Sequence, residues 1–391
     1  MNLKEKESRL FFHTYKRLPL EVERGEGCYL YTKDGKKYLD MFSGLAVNAL
    51  GYAHPAIIKA VDEQVRKYTH LSNFFIQEPQ IQLAERLLSL SGFDKIFFSN
   101  SGTEAIEGTI KLVRKWGKQN GKKAIFGMSN GFSGRTMGAL SLMDKEKYRE
   151  GYEPFLPDFG SIEFNSIDDL NAKVNELTAA IFLEFIQGEG GIVGVTKEFI
   201  EALSALREKY GFLIVADEIQ SGIGRTGKLF GFQHFGIVPD IITVAKPIGG
   251  GLPVGAIIGS QKVADVWTYG VHGTTFGGNP VACAAGVATL DTVMTESFLK
   301  NIVDNADYFR AKVVEMKAKF PIIKEIRVYG YMIGIDLTVE SSPIVEAILQ
   351  KGVLVNSTAN TVIRILPPLI AGKTEFDQFL SVFEDVLSSA R

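Results

Sequence analysis

Five short apolar runs punctuate the middle of the chain: "KIFFSN" at 95–100, "KAIFGM" at 123–128, "AAIFLEF" at 179–185, "FLIVAD" at 212–217 and "IITVAK" at 241–246. None alternates apolar with polar positions, so each reads as a strand covered on both faces. Between some of them the period lengthens to that of a helix. "TEAIEGTIKLVRKW" follows the first run, and "KEFIEALSALREKY" sets Phe199, Ile200, Leu203 and Leu206 on one face. Buried strands alternating with helices predict an α/β fold, a mostly parallel, doubly wound sheet within residues 51–285.

The flanks read differently. "GCYLYTKDGKKYLD" (27–40) holds two alternating strands around Asp34-Gly35, a hairpin signal. Towards the other end, "IKEIRVYGYMIGIDL", "VLVNST" and "TVIRILPPL" predict strands set between helices, closed by an amphipathic stretch ending at Arg391. Neither flank is large enough to bury a core of its own. Residues 1–50 and 286–391 are therefore expected to pack together as a smaller α+β domain.

Composition narrows the function classes. With 391 residues and a formal charge of −2, the chain lacks the basic excess of a dedicated nucleic-acid or membrane-surface binder. Its apolar runs stop well short of bilayer length, and the charged N-terminus has no long apolar core of a signal peptide. Cys28 and Cys283 lie far apart and outside metal-ligand spacing, which suits free thiols in a reducing, cytoplasmic setting, although the count alone also permits one disulfide. The histidines at 13, 54, 70, 234 and 272 form no ligand cluster, so no metal is predicted.

In open parallel sheets, ligands gather beyond the carboxyl ends of the strands, and three predicted strand ends carry polar groups. "FFSNSGTEA" ends in Ser101, Gly102 and Thr103 and opens a helix, whose free N–H groups suit an anion such as phosphate. Ser101-x-x-Glu104 is also a capping box that needs no ligand. "FLIVADEIQ" ends in Asp217, Glu218, Ile219 and Gln220, and "IITVAK" ends in Lys246 before a proline and three glycines. Asp217 alone could be a helix cap, and Lys246 alone a strand-end lysine reaching for solvent. Together the three ends describe a ligand with a phosphate, a basic ring nitrogen and a carbonyl. Pyridoxal 5′-phosphate has those three handles. Asp217 would keep the ring nitrogen protonated, and Lys246 would bond the carbonyl carbon and later act as general base. Pro247 biases Lys246 towards an extended backbone.

"GIGRTG" (222–227) matches the dinucleotide fingerprint literally. That fingerprint requires a strand turning straight into a helix. Here "EIQS" intervenes and the following "KLFGFQHFG" has poor helical promise, so a glycine-rich loop is expected.

The motifs "NSGTEA", "GFSGRT", "EFIQGEGG", "ADEIQSGIGRTG", "AKPIGGG" and "HGTTFGGNP" occur in one order along the chain. In that order, and nearly end to end, the chain resembles the class III (ornithine-type) pyridoxal-phosphate aminotransferases, and within them the acetylornithine aminotransferases. The resemblance implies fold-type I architecture and a homodimer with active sites shared between subunits. It implies ping-pong exchange between an N-acylated ornithine and 2-oxoglutarate, in arginine biosynthesis. It assigns Ser101, Gly102, Thr103, Phe132, Glu218, Ile219 and Gln220 to the cofactor besides Asp217 and Lys246, with Phe132 stacking on the ring. Thr275 would reach the phosphate of the neighbouring subunit's cofactor. For substrate it implies Arg135 as the grip on one carboxylate and Arg364 as the second arginine. Glu189 would gate Arg364, hiding it from the acylated donor and releasing it for glutamate. Tyr15 and Thr274 would lie nearby. Leu45 stands where ornithine enzymes carry a tyrosine, and an apolar side chain there suits an acylated amine better than a charged one.

Three positions depart from the family pattern: Ser133 in place of a histidine, Phe185 in place of a proline, and Pro247 in place of a small or apolar residue. None removes a handle on the cofactor. Rival donors are succinylornithine, succinyldiaminopimelate, 4-aminobutyrate, ornithine and lysine. Rivals of another class are a dinucleotide-dependent oxidoreductase and a non-catalytic binding protein on the same fold.

Overall fold

The structure, a computed structural model, describes residues 3–389. The outermost residues of the 1–50 and 286–391 segments, including Arg391, lie outside the described residues.

All five apolar runs are strands, and two more join them in a seven-stranded sheet. Across the sheet the order is Lys95–Ser99, Gly255–Gly259, Ile241–Val244, Leu213–Asp217, Thr178–Leu183, Ala124–Met128, Phe159–Ile162. Only Gly255–Gly259 runs antiparallel to its neighbours. The two strands missing from the sequence reading are short and carry glycine. "GAIIG" needs it: a Cβ on Gly255 would lie 2.5 Å from the Ser101 carbonyl oxygen. One apolar core, with Phe199, Leu203 and Ile214, lies on one face of the sheet, and another, with Ile106, Val113 and Val215, covers the other. Burying each such side chain is worth about 1.5–3 kcal/mol.

The helices start where the sequence caps them. Gly102–Gln119 begins at Ser101, whose Oγ accepts from Glu104 N at 3.3 Å, while Glu104 Oε2 accepts from Asn100 N at 2.7 Å. Lys197–Tyr210 begins at Thr196, whose Oγ1 accepts from Phe199 N at 3.2 Å, and ends at Gly211 in the left-handed conformation.

The hairpin Tyr29–Thr32/Lys37–Asp40 turns at Asp34-Gly35, and Val353–Leu354 adds to it in parallel. A second antiparallel sheet orders Ile323–Tyr329, Met332–Leu337, Val362–Ile365 and Asn356–Thr358. One core joins Leu39 and Met41 to Phe309, Ile333 and Phe376. Gly222–Gly227 is a loop, with only a 3₁₀ turn at Gly231–His234 after it. Cys28 and Cys283 are buried and free, and burial pushes both thiols up to about 12. No described helix is long and apolar enough to cross a membrane.

Candidate active site

Five strands of the large sheet deliver residues from their carboxyl ends to one cavity of about 450 Å³. Asp217 closes Leu213–Asp217, and Lys246 follows the adjacent parallel strand Ile241–Val244, in which Thr243 lies opposite Asp217. Neighbouring strands ending at the same edge thus bring an acid and an amine to the same space.

Asp217 is 6% exposed and accepts one hydrogen bond, from Ile219 N at 3.0 Å. Burial, and then the Glu184 carboxylate, push its pKa up to about 8. Lys246 moves the other way: burial, and then the charge of Arg364, hold its amine below the ordinary range. Opposed shifts in one cavity mark a site arranged for chemistry rather than for stability.

Lys246 departs from the extended backbone expected before Pro247. Its φ is +51°, and a 3₁₀ turn over Lys246–Gly249 starts at this residue. Left-handed backbone strains any residue with a Cβ, typically by about 1–3 kcal/mol. The turn bends the chain at the strand end while the side chain lines the cavity.

Gly102 and Thr103 line the cavity at the open end of their helix, and neither N–H has a protein partner among the described residues. Capping box and anion cradle coexist here: the cap takes the Glu104 N–H and leaves the two before it free. Gly134, at φ +132°, makes room, since a Cβ there would lie 2.3 Å from Thr103 Oγ1. Phe132 and Arg135 reach the cavity from the segment after Ala124–Met128. Tyr148 packs edge-on against Phe132 at 6.1 Å, and the Arg135 guanidinium lies 3.7 Å from its ring centroid.

Glu184, within the run "AAIFLEF" at 179–185, was not among the residues the sequence singled out. It lines the cavity, accepts from Phe132 N and Gly188 N at 3.0 Å each, and burial raises its pKa. Its signal was the one that singled out Asp217 and Lys246: a charge at the end of a buried strand. Gln220 and Ile219 also line the cavity, and Gln220 Oε1 is buried without a partner.

Other expected residues stand elsewhere. Glu218 is turned away from the cavity: its carboxylate accepts from Ser221 Oγ, Gly231 N and Phe232 N at 2.6–2.8 Å, which anchors the glycine-rich loop. Thr274 Oγ1 accepts from Asn100 Nδ2 at 3.1 Å, one residue behind the cradle, and Thr275 is exposed. Tyr15 is 74% exposed and Leu45 39% exposed; Val47, not Leu45, lines the cavity.

Glu189 and Arg364 do meet. Glu189 sits on the loop of the hairpin Ile186–Gln187/Val193–Gly194, with its carbonyl held by Thr358 Oγ1 at 2.9 Å. Its Oε1 lies 2.7 Å from Arg364 Nη1, and Arg364 Nε donates to Asn356 Oδ1 at 3.2 Å. Burial is the largest influence on Glu189 and opposes its ionisation, but the charge and hydrogen bond of Arg364, with the charges of Lys246 and Lys145, together leave the carboxyl below its ordinary range. Glu189 also lines a second cleft, of about 420 Å³, together with Tyr148, whose ring packs against Phe132 of the first cavity.

The family model for Aminotransferase class-III matches residues 11–387. An acetylornithine aminotransferase of Caldanaerobacter subterraneus subsp. tengcongensis is 43% identical over 98% of this chain and 99% of its own length. One from Methanocaldococcus jannaschii is 40% identical over 98% of each. Among solved structures, the ornithine aminotransferase of Toxoplasma gondii superimposes with a TM-score of 0.94 at 27% identity, covering 99% of this chain and 94% of that one. The N-acetylornithine aminotransferase of Stenotrophomonas maltophilia gives 0.85 at 30% identity, covering 96% and 98%. With the match spanning nearly every residue and the fold shared throughout, this chain belongs to the class III aminotransferases.

Proposed function

We propose that this chain transfers the terminal amino group of N2-acetyl-L-ornithine to 2-oxoglutarate, giving N-acetyl-L-glutamate 5-semialdehyde and L-glutamate, a step of arginine biosynthesis. The observation that carries this reading is the Glu189–Arg364 ion pair at 2.7 Å beside a cavity that already holds Arg135. An acylated ornithine, reacting through its terminal amine, brings one carboxylate, at the far end. Glutamate, reacting through its α-amine, brings two. A site with one open arginine and one masked arginine can serve both in turn.

The family's cofactor is pyridoxal 5′-phosphate, and the residues present fit it. Gly102 and Thr103 offer free N–H groups to its phosphate, Asp217 offers a carboxylate to its ring nitrogen, and Lys246 offers an amine to its carbonyl. Phe132 would stack on its ring, Ile219 would pack against it, and the Gln220 amide would donate from Nε2 to its ring oxygen. When bound, this group supplies an electron-accepting ring that stabilises the charge left as a substrate C–H bond breaks.

The chain's own residues do the rest. Asp217, ionised, would hold a proton on the cofactor's ring nitrogen. Lys246 Nζ, held towards its neutral form, would take the proton from the substrate carbon that bears the reacting amine. Arg135 grips the far carboxylate in a two-pronged bond. Glu189 stays on Arg364 for the acylated donor and leaves it for glutamate or 2-oxoglutarate.

The working form is a homodimer in the cytoplasm. Thr275, exposed in a single chain, would reach the cofactor phosphate held by a second copy. Thr274, tied to Asn100, positions that loop. Tyr15 and Leu45, open at the surface of one chain, approach the substrate only in the assembled pair. The two buried free thiols suit a reducing compartment. Residues 51–285 form the cofactor-binding domain, and 1–50 with 286–391 the smaller one.

The reading is tested by supplying N2-acetylornithine and 2-oxoglutarate to the loaded protein and quantifying both products. Equal amounts of semialdehyde and glutamate, with neither formed when one substrate is omitted, are expected. Absence of glutamate overturns it.

A further inference from the structure

If Glu189 is to uncover Arg364, its carboxylate needs somewhere to go. It is half-buried, and a partly desolvated carboxylate that loses its ion-pair partner is strongly destabilised. The second cleft, of about 420 Å³, supplies a partner: Glu189 and Lys145 both line it, together with Asn130, Tyr148 and the 357–360 turn. Lys145 is half-buried, and its ammonium makes no ion pair among the described residues. Its Nζ has only an aromatic neighbour, 5.7 Å from the Tyr148 ring centroid. The adjacent Asp144 is engaged elsewhere, accepting from Asn130 N at 3.1 Å. The charge of Lys145 already reaches Glu189: it adds, after Arg364 and Lys246, to the pull that keeps that carboxyl ionised.

We propose that Lys145 is the second partner of Glu189, a positioning residue that receives its carboxylate across the cleft whenever a diacid claims Arg364. The gate is then an exchange between two cations, Arg364 when closed and Lys145 when open. Because the cleft shares no lining residue with the cavity, a carboxylate displaced into it leaves the substrate's path. Lys145 takes no part in binding the acylated donor, which needs the gate closed. This inference rests on the proposed function and specifies how its two donors are told apart.

The test is titration calorimetry of the loaded protein with two unreactive probes. Glutarate needs both arginines, whereas N-acetyl-L-norvaline carries the acylated end alone. Lys145→Met should weaken glutarate about fivefold to tenfold, the effect of one half-buried ion pair, and leave N-acetyl-L-norvaline within about twofold. Lys145→Arg, which keeps the charge, should restore glutarate binding. In a Glu189→Gln background, which has no carboxylate to receive, Lys145→Met should leave glutarate affinity within about twofold. Equal weakening of both probes, or unchanged glutarate affinity, overturns the role of Lys145. A wild-type protein that binds neither probe and forms no glutamate from N2-acetylornithine overturns the underlying function, and this inference with it.

Discussion

Arg364 Nη1 stands 2.7 Å from Glu189 Oε1, with the guanidinium sealed from solvent and the carboxylate at the edge of an open cleft. An ion pair so placed can be broken from one side only: the arginine cannot follow, but the glutamate can leave. Glu189→Gln keeps the shape and removes the charge, so Arg364 stays available to any carboxylate. The ratio of kcat/KM for N2-acetylornithine to that for glutamate should fall by about tenfold or more, with cofactor affinity unchanged. Half-reaction kinetics with each donor read both numbers.

Lys246→Ala should bind the cofactor through the phosphate cradle and Asp217 yet lose turnover. A positioned general base contributes about 10²–10⁴-fold, and the loss of kcat should be at least that large. Borohydride reduction of the wild-type protein followed by peptide mapping should place the cofactor's mass on the Lys246 peptide, and no such mass should appear in the variant.

Asp217 gives a signed prediction for the cofactor-free protein. Its carboxyl is raised to about 8 when folded, mainly by burial, so between the ordinary carboxylate range and that pH the unfolded chain releases a proton that the folded chain keeps. Folding stability must therefore fall as pH rises through this window. Glu218, raised to about 7 mainly by burial, adds to the same trend. Asp217→Asn removes the larger contribution. Thermal melts of cofactor-free protein should show the variant gaining on wild type as pH goes from 5 to 8, by about 2 °C or more at the upper end. The same variant, loaded, should be nearly inactive, the usual exchange of function for stability at such sites.

Gly134 carries a φ of +132°, and a Cβ there would sit 2.3 Å from Thr103 Oγ1. Gly134→Ala should displace Thr103 from the cradle and weaken cofactor affinity about tenfold to a hundredfold, as strain of about 1–3 kcal/mol implies. Equilibrium dialysis against the cofactor measures it.

Much of this architecture was legible because buried parallel strands write themselves as uninterrupted apolar runs, and charges at their ends stand out. Asp217 and Lys246 were found that way. The strands Phe159–Ile162 and Gly255–Gly259 were missed because glycine, kept for close approach, dilutes the pattern. Side-chain direction was not legible. Nothing in "ADEIQ" says that Asp217 faces the cavity while Glu218 turns back to hold Gly231 and Phe232. The left-handed turn at Lys246 was also hidden, since the local preference before proline opposes it and only the surrounding packing enforces it. Residues that act across a subunit boundary, as proposed for Thr275, Tyr15 and Leu45, are marked in one chain only by their exposure.

The most direct measurement is steady-state kcat/KM for a panel of amino donors with 2-oxoglutarate as acceptor: N2-acetylornithine, N2-succinylornithine, ornithine, lysine, succinyldiaminopimelate and 4-aminobutyrate. The account predicts N2-acetylornithine first, with free ornithine and 4-aminobutyrate at least about tenfold lower. A higher value for 4-aminobutyrate or for free ornithine would contradict it.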